Sequence, residues 1–219
     1  MKLFKQTSYS RLIASITAVV ALEILISAPA FAHHPLDGKI PANFFEGIMS
    51  GFAHPMIGFD HLAFIVASGL TALGVTGGII IPIAFVIATG VGAGIHLAAI
   101  DLPLTEIIIA ASVLVFGVLL IFRNKRSQNS SYMFKVSLVA AFAGLFHGFA
   151  YGEGILGAEN TPLVAYLIGF TIIQLAISWG TYLVATSLSR CISVKYLTRF
   201  AGGAIAAIGI VFLSSAITG

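Results

Sequence analysis

The stretch HPMIGFDH, His54 to His61, sets two imidazoles and the Asp60 carboxylate into an otherwise apolar run. Imidazole nitrogen and carboxylate oxygen together suit a divalent transition-metal ion. An Asp beside a His equally suits an imidazole that a carboxylate orients. On a continuous helix His54 and His61, seven apart, lie within about 20° of each other with Gly58 between them. Asp60 then points about 100° away from His61 and reaches the same site from the side or serves another partner. Pro55 is expected to set the start of this helix. A helix amino terminus favours an anion, so a cation there needs the carboxylate and neutral imidazoles to offset the dipole. A second stretch, AGLFHGFAYGEG, carries His147 between glycines, which lets another backbone approach. Its helix is expected to loosen at Gly152-Glu153-Gly154, and irregular backbone at membrane depth is tolerated where it lines a cavity.

The elements that hold these residues must sit in lipid. Of the 219 residues only 9% are charged and 58% are hydrophobic, and the mean hydropathy is +1.05. A soluble domain carries about 25% charged residues, so this chain cannot cover a water-facing surface. The lone Cys191 excludes an intrachain disulfide framework and a CxxC metal site. Lys2, Lys5 and Arg11, then an apolar run, then Ala30-Phe31-Ala32 give the layout of a secretory signal peptide over residues 1–32, cut after Ala32. The alternative is an uncleaved first membrane helix. Residues 33–52 form an extracytoplasmic segment, with a short surface helix over 41–52 stopped before Pro55. Residues 53–219 hold six apolar runs long enough to span about 30 Å of hydrocarbon, at 53–74, 77–99, 103–122, 133–152, 161–187 and 200–217. The fold expected is all-α, a polytopic membrane protein of six transmembrane helices after a cleavable signal peptide. Gly90-x-Gly92-x-Gly94, and Gly202-Gly203 with Gly209, favour close helix packing.

Charge gives a direction. With residue 33 outside, the loops 123–131 and 188–199 are cytoplasmic, and they hold Arg123, Lys125, Arg126, Arg190, Lys195 and Arg199. The acids Asp37, Glu46, Asp101, Glu106, Glu153 and Glu159 fall on the other side. This positive-inside pattern agrees with the signal peptide, though it is read from different residues. It accounts for the net charge of +3 without nucleic acid. Asn129-Ser130-Ser131 then reads as plain cytoplasmic loop.

On that orientation His54, Asp60, His61, His96, His147 and Glu153 all fall in the outer half of the membrane. An Asp at the centre of a span costs about 2.5–3.5 kcal/mol on insertion scales, which packing alone does not justify. His96 reads equally well as a packing residue. Asn160, Thr171, Gln174 and Ser178 line the fifth span as a path, although one interhelical hydrogen bond explains Gln174 as well. Cleavage after Ala32 leaves a free amine followed by His33 and His34, a metal-capturing terminus or two solvated histidines in a tail.

HPMIGFDH at the head of an apolar helix, with FHGFAYGE later, resembles the HupE/UreJ family of small bacterial nickel and cobalt permeases. The resemblance covers essentially the whole mature chain. It implies metal-ion transport, with the motif residues falling on His54, Asp60, His61 and His147. Many members read FHGxAHGxE in the second stretch. Here Tyr151 replaces the second histidine and Glu153 comes one position early, with Gly154 where the acid would be, which leaves a ligand fewer. The function expected is uptake of a divalent ion, nickel first and cobalt second, with zinc and copper as competitors and no permanently bound cofactor. Lipid and the ion are the partners. No GxxxxGK[ST] occurs, so no ATP is hydrolysed through a P-loop. The alternatives are an intramembrane metal-dependent enzyme and a metal-sensing accessory protein using the same site.

Overall fold

A computed structural model describes residues 39–123 and 129–218. The expected signal peptide and His33 and His34 lie outside the described residues. Among those described, every regular element is an α-helix: α1 (Phe44–Ile57), α2 (Phe59–Ala72), α3 (Ile80–Leu97), α4 (Thr105–Ile121), α5 (Ser130–Glu153), α6 (Asn160–Leu188) and α7 (Val194–Thr218). The helix starts are written locally. The Asn43 side chain accepts the Glu46 N–H at 3.0 Å, and the Glu46 carboxylate accepts the Ala42 N–H at 2.8 Å, a reciprocal cap on α1. Asn129, expected in plain loop, caps α5 by accepting the Tyr132 N–H at 2.8 Å. The basic loop expected over 188–199 is shorter, because α7 begins at Val194 and carries Lys195 and Arg199 on its first turns.

By length and composition α3, α5, α6 and α7 can each cross a membrane. The helices α1 and α2 would make a fifth crossing as a pair bent by 82°, and α4, at 17 residues, is a shorter apolar helix. The expected first span, 53–74, is therefore not one continuous helix. Ile87, Phe142, Val184 and Ile210 are more than half exposed on the outer surface, a covering that only lipid makes favourable. The chain is a membrane protein.

Helix α2 is the hub. Most of it is buried, and it touches each of the other six helices, which otherwise associate as three close pairs: α3 with α5, α4 with α7, and α1 with α6. Each pair closes on glycines: Gly92, Gly144 and Gly148 between α3 and α5, Gly117, Gly202 and Gly209 between α4 and α7, Gly47, Gly51 and Gly169 between α1 and α6. A Cβ at any of these would collide with the facing backbone. In lipid, where apolar burial between helices gains little, this close approach supplies the packing attraction. Gly90, Gly94 and Gly203, expected to share that role, face open space. Gly90 and Gly94 lie two residues from Gly92, about 200° around the helix, so they cannot share its face.

Candidate functional site

The corner between α1 and α2 builds the site. Pro55, expected to begin a helix, lies inside the last turn of α1, where its missing N–H weakens the helix just before it ends. Gly58 breaks the chain with φ −72° and ψ 102°, angles open to any residue. The need for glycine is steric, since a Cβ there would stand 2.6 Å from His61 Cδ2. Asp60 opens α2, its carboxylate accepting the His61 N–H at 2.8 Å, where the helix dipole favours an anion. His54 and His61 thus belong to different helices, not to one helical face. Their rings meet across the corner with centroids 6.2 Å apart.

Counting hydrogens fixes the imidazole tautomers. The single proton of the Ser112 hydroxyl goes to the Ile109 carbonyl at 2.7 Å. Its oxygen therefore accepts from His147 Nε2–H, 3.1 Å away. His147 Nδ1 is then a lone pair, and His61 Nδ1–H donates to it across 2.8 Å. His61 is left with its lone pair on Nε2. A matching relay serves the other arm. The Tyr166 hydroxyl donates to the Tyr151 carbonyl at 2.7 Å and accepts from His54 Nδ1–H at 2.7 Å, so His54 also carries its lone pair on Nε2. Both relays end on a backbone carbonyl, and both present an imidazole as an electron-pair donor. This is how outer groups hold metal-binding histidines in proteins generally. The Asp60 carboxylate stands 3.9 Å from His61 Nδ1, too far to orient that ring by a hydrogen bond.

His54, His61 and His147 are each at least 95% buried. Tyr151, read from sequence as a lost ligand, packs edge-on against His54 at 5.2 Å and against His61 at 4.8 Å. Its hydroxyl is buried with no hydrogen-bond partner among the described residues. Phe64 and Phe85 lie against His147 with centroids 4.8 and 5.4 Å away, and Phe116 stacks on Phe64 at 4.5 Å.

Two further sequence candidates lie on α3 and at the end of α5. The His96 ring lies against Phe149 at 4.5 Å, on the seam between α3 and α5, where its Cβ meets Gly152. Glu153 is exposed at the end of α5, which does stop at the expected Gly152-Glu153-Gly154. Among the described residues no three His, Cys, Asp or Glu side chains are already arranged to hold a metal ion. Sequence reasoning missed Ser112 and Tyr166, because one hydroxyl in an apolar helix carries no distinguishing pattern.

Comparison with known proteins places this architecture. The pattern of the family described as HupE / UreJ protein matches residues 20–212. The chain belongs to the HupE/UreJ family. This HupE/UreJ chain is also 32% identical over 171 residues to Protein HupE of Rhizobium leguminosarum bv. viciae, covering 77% of this chain and 85% of that protein. No solved structure matches it.

Proposed function

We propose that this chain is a permease for uptake of a divalent transition-metal ion, nickel first and cobalt second. The ion binds through Nε2 of His54 and His61 and the Asp60 carboxylate, while His147 and Tyr166 hold the two rings. The observation that carries this reading is the pair of relays, which fixes both buried imidazoles as lone-pair donors at one corner. Two imidazoles sharing an ion at about 2.0–2.1 Å have centroids roughly 4.5–6.5 Å apart, and these stand 6.2 Å apart. Asp60 completes the set by turning from the His61 amide to the ion. Its charge offsets the desolvation of a divalent cation at that depth. Family membership supports the transporter class.

The same reading takes six spans, with the bent α1–α2 pair as the first and the shorter α4 as the third. The mature amino terminus is outside a bacterial cytoplasmic membrane after signal cleavage, the basic loops are cytoplasmic, and His33 and His34 collect metal at the outer face. The set of neutral imidazoles and one carboxylate, without thiolate, binds firmly enough to capture an ion and weakly enough to release it.

Radiometal uptake into proteoliposomes tests the reading. Wild-type protein should take up nickel, and His54→Ala and Asp60→Asn should abolish uptake. Tight binding without flux would assign a sensor instead, and substrate turnover without flux an enzyme. Competition by unlabelled cobalt, zinc and copper orders the metals, because the Irving–Williams series alone ranks copper above nickel.

A further inference from the structure

A permease needs a way past the histidines, and the straight way is closed. Phe64, Phe85 and Phe116 are fully buried and pack as an apolar floor against His147. Beside that floor runs a buried polar stripe on α6. Tyr166, Gln174 and Ser178 recur at intervals of eight and four residues, so they wind gradually around the buried side of α6, about 80° and then 40° on, and lie about 12 and 6 Å apart along the axis.

Gln174 is fully buried, and its amide can sit only one way. Nε2 donates to the Phe170 carbonyl at 3.0 Å and to Thr89 Oγ1 at 3.3 Å. The Thr89 hydroxyl has already given its proton to the Val86 carbonyl at 2.7 Å. A flipped amide would face one carbonyl and one oxygen with no proton to give. Oε1 is thereby left as a buried acceptor with no donor among the described residues. Such an acceptor inside hydrocarbon is unfavourable unless something electropositive visits it. One turn further along, Ser68 and Ser178 hydroxyl oxygens meet at 3.2 Å, and both groups reach the Ile65 carbonyl, at 2.7 and 3.3 Å. The stripe borders the histidines, since the Thr89 backbone presses on Gly148, next to His147.

We propose that Gln174 forms a second cation site, one step beyond the histidines on the route to the other side. Oε1 supplies an amide-oxygen ligand to a partly hydrated divalent ion, and the Ser68 and Ser178 oxygens receive it next. Neutral oxygen ligands hold a transition-metal ion less firmly than imidazole and carboxylate do, so the ion descends from a tighter to a looser site and is released. This inference rests on the permease reading above.

The test compares wild type, Gln174→Met, Gln174→Glu and Thr89→Val. Each full-length protein is assayed for equilibrium nickel binding in detergent and for radioactive nickel uptake in proteoliposomes. Gln174→Met should bind nickel within twofold of wild type yet transport it at least tenfold more slowly. Gln174→Glu should bind a second equivalent of nickel and also slow uptake. Thr89→Val removes the amide contact but keeps Oε1, and should transport within threefold of wild type. Wild-type flux in Gln174→Met would overturn the site and leave the permease standing. Loss in Thr89→Val equal to that in Gln174→Met would assign Gln174 to helix packing and overturn it too. Where Gln174→Met does not fold, absence of a second equivalent in Gln174→Glu overturns it. Wild-type binding without flux would remove the permease reading and this site together.

Discussion

Tyr166→Phe isolates one relay. The substitution keeps the ring, so it opens no large cavity, and removes only the oxygen that joins His54 Nδ1 to the Tyr151 carbonyl, with 2.7 Å on each side. Both partners belong to buried residues. Each buried group deprived of its partner costs about 1–3 kcal/mol, so with two such groups the folded state should lose roughly 2–6 kcal/mol. A second effect is separate from stability. With the hydroxyl gone, nothing in this relay holds the proton on His54 Nδ1, and the ring can present Nε2–H to an incoming ion. Loss of such an orienting partner typically lowers metal affinity about 10–100-fold. Isothermal titration with nickel in detergent measures the affinity, and a thermal melt of the same sample measures the stability. A lowered melting temperature with nickel affinity within twofold of wild type would refute the tautomer argument and leave Tyr166 a packing residue. No change in either would refute the relay itself.

Ser112→Ala breaks the other relay one residue further from the ion, so nickel affinity should fall by a smaller factor, about 3–10-fold. An affinity loss larger than that of Tyr166→Phe would mean that His147, not His61, contacts the metal. Gly58→Ala leaves the backbone angles unstrained but drives a Cβ to 2.6 Å from His61 Cδ2. The ring must turn, breaking the buried His61–His147 hydrogen bond, so affinity should drop at least tenfold and the melting temperature should fall too; unchanged affinity would exclude His61 as a ligand through this ring position. Gly148→Ala sets a methyl against the Thr89 backbone and should destabilise the protein by about 1–3 kcal/mol. Gly94→Ala, which faces open space on the same pair of helices, should be neutral or slightly stabilising in the same melt.

The helices were largely legible in the sequence because apolar length is a direct physical signal. Five of the six expected apolar runs coincide with a single helix each. The first did not, and the reason is specific. Hydropathy does not register direction, so a right-angle turn at Gly58 between two apolar halves looks like one span. Pro55 misled further, because it sits in a final turn rather than a first one. Residue type singled out His54, His61 and His147, and their rings do meet. Equal height along the spans says nothing about which way a helix face points, so depth alone does not tell which side chains meet. Ser112 and Tyr166 act through single hydrogen bonds, which only the packed helices reveal.

The glycine seam between α3 and α5 and the bend at Gly58 differ in mechanical compliance. His147 is mounted on α5, which is locked backbone to backbone against α3, whereas His54 and His61 stand either side of a bend. A wall on a joint can follow the size of whatever it grips. On the permease reading, such a site would discriminate poorly between ions by radius. The choice among similar metals then falls to donor chemistry and to the rate at which each ion is let go.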